Sequence, residues 1–465
     1  MLDQQGLEMT GSAEAVAAYD RAVEHLVRFR IDVLEAVVAA VRDPSSVMGR
    51  VLSAYLALLS TEGADVARAA AVLGSIGDDR PLVERERAHR SVVERWVAGD
   101  LRGSGALLDR LSVEYPRDLL ALYVGHQIDF LTGDAANLRD RIGRSLSAWS
   151  TDDPAFGFLL GMHAFGLEEC NQYGRAADAG LAALAAHPED VWGLHAVAHT
   201  YEMQGQVRDG LGFFDDRRPD WSGENFLRVH NSWHYALLAL EGDDATGALA
   251  IYDEVLHPPG ARDVAYELVD SASLLWRLEL DGTPLGARWS PLADAWRRVL
   301  VPGFYPFNDL HATMAYVGAG DLDEARRVVA ALERSVEAAD PAAAGRQRAT
   351  EVGRAVCAGL VCFATADFDG ALESLLSVRG FVQACGGSHA QRDVVERTLL
   401  EAAIRAGRHD LARALLSERL SLRESSAYAW RKRAELLARL GDPVGARRAE
   451  ARAAALASAA AATRG

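Results

Sequence analysis

The sequence predicts an all-α chain of stacked helical hairpins, and three observations carry that expectation. A turn signal recurs at near-constant spacing along the chain. The apolar residues between signals follow a helical period, and no strand-like alternation interrupts them. Alanine and leucine are abundant while proline is scarce, at 14 of 465 residues, a balance that favours helix.

The recurring signal is a glycine with a small residue five positions later. Gly99 has Ser104, Gly205 has Gly210, Gly242 has Gly247, Gly320 has Ala325, Gly407 has Ala412 and Gly441 has Ala446. Gly133 is a variant, as are Asn171 with Ala176 and Ala366 with Ala371. Successive anchors lie 34, 38, 34, 37, 78, 46, 41 and 34 residues apart, so the 78-residue gap holds a degenerate unit near residue 281. Pro116, Pro188 and Pro259 each follow an anchor by 17 residues. Glycine ends a first helix where the turn needs a conformation that a side chain opposes. The small residue lets the second helix pack closely, and proline ends the unit. Val395, Leu399 and Ala403 show the apolar stripe between anchors. One such hairpin cannot bury its apolar face, so neighbours stack. The expected architecture is a superhelix of the tetratricopeptide repeat (TPR) type, an α-solenoid able to close around a central polar pocket.

The organisation follows in order. Residues 1–85 read as an N-terminal helical cap with a long helix from Ala13 to Arg42. Residues 86–280 read as TPR-like repeats carrying a cluster of His and Glu. Residues 281–308 hold Pro284, Pro291, Pro302 and Pro306 with Trp289, Trp296, Phe304 and Phe307, the pattern of an irregular aromatic connection. Residues 309–465 resume the repeats, with a loop from Asp340-Pro341 to Gly345 and an Ala-rich tail expected to fray after Leu456.

Composition removes several functions. The net charge of −17 repels phosphate backbones and anionic lipid, so neither nucleic acid nor a membrane is an expected partner. Lys432 is the only lysine, so no Walker-type phosphate loop exists and a Schiff base has one unpromising candidate. Cys170, Cys357, Cys362 and Cys385 form neither a CxxC pair nor a disulfide framework. No run of 18 apolar residues and no basic-then-apolar leader is present, which points to a cytoplasmic protein.

Several strings carry a more specific likeness. They include Gly161-Met162-His163-Ala164-Phe165-Gly166-Leu167-Glu168-Glu169, Trp192-Gly193-Leu194-His195-Ala196-Val197-Ala198-His199 and His230-Asn231-Ser232-Trp233-His234. Further strings are Pro116-Arg117-Asp118, Phe307-Asn308-Asp309-Leu310-His311 and Gly386-Gly387-Ser388-His389-Ala390-Gln391-Arg392-Asp393. In these the chain resembles the tetratricopeptide repeat protein 38 family. The resemblance implies the helical-repeat fold and little settled biochemistry.

Histidine is the most informative chemical feature. Of 13 histidines, His195, His199, His230 and His234 fall within 40 residues as two i, i+4 pairs, each pair on one helical face. Glu202 follows His199 by three and shares its face. Counted from the turn glycines, the repeat register turns His163, Glu168, His199, Glu202, His234 and His311 toward one inner surface. The candidate ligands of a divalent zinc, iron or manganese ion are His195, His199, His230 and His234. The same groups suit proton transfer, with His199, Glu202, His234, Asp309 and His311 as catalytic candidates and Asp270, Asp309 or Glu202 orienting the imidazoles. His163, Glu168, His195, His230, Asn231, Trp233, Asp270, Gln391 and Arg392 are expected to line a ligand pocket. Neither an H-E-x-x-H nor a G-x-S-x-G string occurs. Two functions remain open. One is a binding protein that holds a small molecule or peptide in a His/Glu-lined concave pocket. The other is an enzyme using the same cluster as a metal or acid/base site.

Overall fold

A computed structural model describes residues 1–77, 81–338 and 344–461. The helices pair into hairpins. The first are α1 (Ala13–Val27) with α2 (Val33–Ala40), α3 (Val47–Leu59) with α4 (Asp65–Gly74), and α5 (Glu84–Val97) with α6 (Leu101–Glu114). Then come α7 (Leu119–Leu131) with α8 (Ala135–Ser145), α9 (Phe156–Glu169) with α10 (Tyr173–Ala186), and α11 (Val191–Met203) with α12 (Val207–Asp216). After a short α13 (Arg218–Trp221) follow α14 (Arg228–Glu241) with α15 (Ala245–Ile251), and α16 (Ala265–Leu280) with α17 (Trp289–Val299). The C-terminal hairpins are α18 (Pro306–Gly318) with α19 (Leu322–Glu337), α20 (Ala344–Ala364) with α21 (Phe368–Val378), α22 (His389–Arg405) with α23 (His409–Leu422), and α24 (Ala427–Arg439) with α25 (Pro443–Ala461). The chain is all-helical and TPR-like. Among the described residues no helix is long and apolar enough to cross a membrane.

The turns explain the repeat signal. Gly99, Gly133, Asn171, Gly205, Gly320, Ala366, Gly407 and Gly441 all adopt positive φ. In the hairpin of α14 and α15 the left-handed residue is Asp243 at φ 68°, one position beyond the expected Gly242. Gly282, φ 79°, makes the same turn between α16 and α17 and is the degenerate unit expected near residue 281. An aspartate often follows the left-handed residue and caps the second helix. Asp100 accepts from the Gly103 N–H, Asp134 from Asn137, Asp321 from Glu324 and Asp442 from Gly445.

The long helix expected from Ala13 to Arg42 is instead broken. α1 stops at Val27, and Phe29 takes a left-handed φ of 55°. An aromatic residue there is strained by about 1–3 kcal/mol. Tertiary contacts hold it: its ring stacks on Trp192 at 5.2 Å and its carbonyl accepts from the Phe226 N–H at 2.9 Å. The loop expected at Asp340-Pro341 to Gly345 lies largely outside the described residues, and α25 continues to Ala461.

The stack winds back on itself. Asn308 donates to the Thr61 carbonyl at 3.0 Å, Tyr305 to Leu131 at 3.1 Å, and the His389 N–H to Glu169 at 2.7 Å. The apolar core has two parts, and α14 serves both. Trp233 and Ala236 join the C-terminal part, while Leu238 packs into the N-terminal one.

Candidate functional site

Four neighbouring helices build one buried polar centre. α11 supplies His195, His199 and Glu202, α14 supplies His230 and His234, α16 supplies Asp270 and α9 supplies Glu168. α11 starts at Asp190, whose side chain accepts from the Trp192 and Gly193 N–H groups. Every residue of α11 from Val191 to Thr200 is buried, so its histidines are withdrawn from bulk solvent.

The imidazoles converge through their Nε2 atoms. His195 Nε2 lies 3.0 Å from His230 Nε2, and His234 Nε2 lies 3.3 Å from the same atom. The His199 ring centre is 4.4 Å from that of His195 and 4.3 Å from that of His234. The outer nitrogens meet carboxylates. His230 Nδ1 is 2.9 Å from Asp270, His234 Nδ1 is 2.8 Å from Glu202, and His199 Nδ1 is 3.4 Å from Glu168. His199 has no hydrogen-bond partner for either ring nitrogen, and His195 Nδ1 has none. One nitrogen from each of the four rings lies within 4.8 Å of all the others, so these four could hold a metal ion.

Burial sets the electrostatics. It pushes His195 and His234 well below the usual imidazole range, reinforced by the neighbouring histidines, and brings His199 down to about 4. Burial also raises Glu202, against the pull of His199, and raises Glu168, reinforced by Glu169. Glu169 goes the other way because Arg392 and His389 outweigh its burial. His195, His199 and His234 are therefore neutral and present lone pairs near pH 7.

The other candidates take different places. Trp233 stacks on His230 at 5.4 Å, and the Arg277 guanidinium lies over the Trp233 ring at 5.5 Å. Asn231 donates to the Val191 carbonyl at 3.4 Å. Gln391 closes a capping box with Ser388 at the start of α22 and also lines the chamber beside the centre, while Arg392 reaches Glu169 at 3.1 Å. His163 stands apart, with Nδ1 3.2 Å from the Arg139 carbonyl between α8 and α9. Asp309 accepts from the Gly303 N–H at 3.0 Å, and burial lifts it to about 7. His311 Nδ1 turns to the Phe307 carbonyl at 2.8 Å. The inner surface expected to collect His163, Glu168, His199, Glu202, His234 and His311 thus gathers only Glu168, His199, Glu202 and His234. The two pairs on α11 and α14 complete the centre.

One wall of the centre opens on a chamber of about 350 Å³. His195, His230 and Asp270 form its polar end, and Leu26, Phe29, Leu56, Leu59, Tyr123 and Phe130 form much of its apolar wall. Sequence reasoning found the polar end through its i, i+4 spacing. It missed the apolar wall, because residues 65 to 204 positions away share no local pattern with the histidines.

No family model matches the chain. Its structural neighbours include the human IFIT1 dimer with PPP-AAAA, at 11% identity over 98% of each chain and a TM-score of 0.41. Cut9 from the APC/C hetero-tetramer Cut9-Hcn1 matches at 12% identity over 96% of this chain and 88% of the other, TM-score 0.35. Rap protein complexed with competence and sporulation factor matches at 13% over 90% and 98%, TM-score 0.37. At those TM-scores the likeness carries no argument about site or ligand. The fold and site together define a TPR-like superhelix with a buried four-histidine centre.

Proposed function

We propose that this protein is a binding protein that encloses a small, mostly apolar molecule, with the molecule's polar end against His195, His230 and Asp270. The chamber is the observation that carries this reading. Its volume of about 350 Å³ falls in the range of small-molecule sites, which pair apolar walls with a few convergent polar groups. The strings that resemble the tetratricopeptide repeat protein 38 family supply the site, so that assignment belongs to the same reading. An extended peptide would need an open groove, whereas helices α1 to α3 contribute to this wall. Nucleic acid does not suit it. Among the described residues Arg262 is the one cation lining the chamber, and a polyphosphate needs several.

An enzyme reading has one observation in its favour. His230, oriented by Asp270 at 2.9 Å, faces the chamber, as a general base does.

The chamber is tested by titrating the protein with the amphipathic dye 1-anilinonaphthalene-8-sulfonate, an aromatic body with one anionic end. The expected result is a saturable fluorescence gain at one site per chain, abolished in a folded Leu59→Trp variant that fills the cavity. A non-saturating signal, or one unchanged in the variant, would sink the reading.

A further inference from the structure

Three Nε2 atoms meet at one place, and hydrogen bonding alone cannot satisfy them. His230 Nε2 has two nitrogen neighbours, His195 Nε2 at 3.0 Å and His234 Nε2 at 3.3 Å. An imidazole nitrogen has a single in-plane position, holding either one hydrogen or one lone pair. Whichever tautomers are assigned, at most one of the two contacts is a well-directed hydrogen bond. His199, buried beside them, has no hydrogen-bond partner at all. A cation at the convergence would satisfy every lone pair at once.

The dimensions fit a metal. Bonds of about 2.0–2.1 Å from a tetrahedral ion place neighbouring ligand nitrogens about 3.3 Å apart. Two of the observed separations, 3.0 and 3.3 Å, are near that value. The four nitrogens lie within 4.8 Å of one another, so the widest separation has to shorten by up to roughly 1.5 Å to complete the set. The outer shell fits as well. Metal-bound histidines usually give their second N–H to a carboxylate, and Asp270, Glu202 and Glu168 stand at three of the four rings.

We propose that His195, His199, His230 and His234 bind one divalent transition ion of the zinc class, with Asp270 and Glu202 fixing the rings from outside. The ligands are all imidazole nitrogen, which suits zinc, iron(II) and their neighbours better than magnesium or calcium. Resting on the chamber reading, the ion would lie at the chamber's polar end, where the side chain of His230 is 13% exposed, and a bound molecule's oxygen or nitrogen could reach it.

The test uses the full chain, purified without a histidine tag. Metal content is measured by mass spectrometry, and the chelated protein is then titrated with cobalt(II) while its visible absorption is followed. One ion per chain and a cobalt spectrum of nitrogen ligation are expected. A folded His199→Ala/His234→Ala variant should lose both. If that variant does not fold, the cobalt spectrum of the unaltered chain decides by itself. Absence of both retained metal and cobalt uptake would overturn the proposal and leave a hydrogen-bonded histidine cluster. Equal uptake by a folded double variant would overturn it too, by placing the ion elsewhere. Dye binding in the chamber is read on the same samples, so a failed metal site and a failed chamber give different results.

Discussion

His230 Nδ1 lies 2.9 Å from the Oδ2 of Asp270, a carboxylate 1% exposed on the neighbouring helix. With the carboxylate oxygen accepting from Nδ1–H, Nε2 keeps its lone pair toward the other imidazoles. Asp270→Asn keeps the shape but offers an amide that can donate as well as accept. Loss of such an outer partner typically lowers metal affinity about 10- to 100-fold. Competition against a chromophoric chelator should show that loss, with the melting temperature little changed. Unaltered affinity would mean that Asp270 does not orient the ring.

A second buried constellation is structural. Arg85, 3% exposed at its side chain, bonds Asp3 and Asp118 at 2.6 Å each, and His89 Nε2 lies 2.9 Å from Asp118. Asp118 also caps α7 through the Ala121 N–H. Burial works against its ionisation, but Arg85 and His89 hold it far below the usual carboxylate range. Removing one partner from a buried pair strands the other charge, at a cost of about 3–5 kcal/mol. Asp118→Ala should lower stability by that amount in urea denaturation, and a loss below about 1 kcal/mol would contradict the pairing.

Close helix approach gives a third expectation. A Cβ added at Gly166 would lie 2.5 Å from the Cα of Arg139 and 2.6 Å from its backbone nitrogen. The obstacle is backbone, which cannot rotate away. Glycine to alanine inside an exposed helix ordinarily stabilises by roughly 0.5–1 kcal/mol. Here α8 and α9 must separate, so Gly166→Ala is expected to destabilise by about 1–3 kcal/mol. Thermal unfolding decides the sign.

The repeat and the polar centre were readable because both obey the helix period. His195 and His199, like His230 and His234, are four apart and share a face on any helix. The inner-surface register failed at His163 for the same reason. It stands five residues before Glu168 on α9, and five steps of about 100° put the two roughly 140° apart, so both could not face one surface. The break at Phe29 and the chamber wall depend on contacts with Phe226 and Trp192. Nothing within a few residues of Phe29 encodes those. The aspartates after the left-handed turn residues were a local signal that sequence reading passed over.

His126 gives a pH-dependent expectation. It is fully buried on α7, with its ring 5.6 Å from Trp192, and burial pushes it down to about 3 from 6.5. The unfolded chain takes up this proton near pH 6.5, while the folded chain refuses it until about pH 3. Between those values the unfolded state binds more protons, so the residue costs stability as pH falls. At pH 5 the penalty from this one site is about 2 kcal/mol. Asp190 and Asp309, each raised by burial to about 7, act with the opposite sign over much of the same range. The total pH dependence is therefore a poor test, and the difference between variants is a good one. His126→Leu removes the titrating group and keeps a ring-sized apolar side chain. Its stability relative to the unaltered chain should improve by about 2 kcal/mol on going from pH 7.5 to pH 5. Parallel stability curves for the two proteins would show that His126 takes up its proton in the folded state.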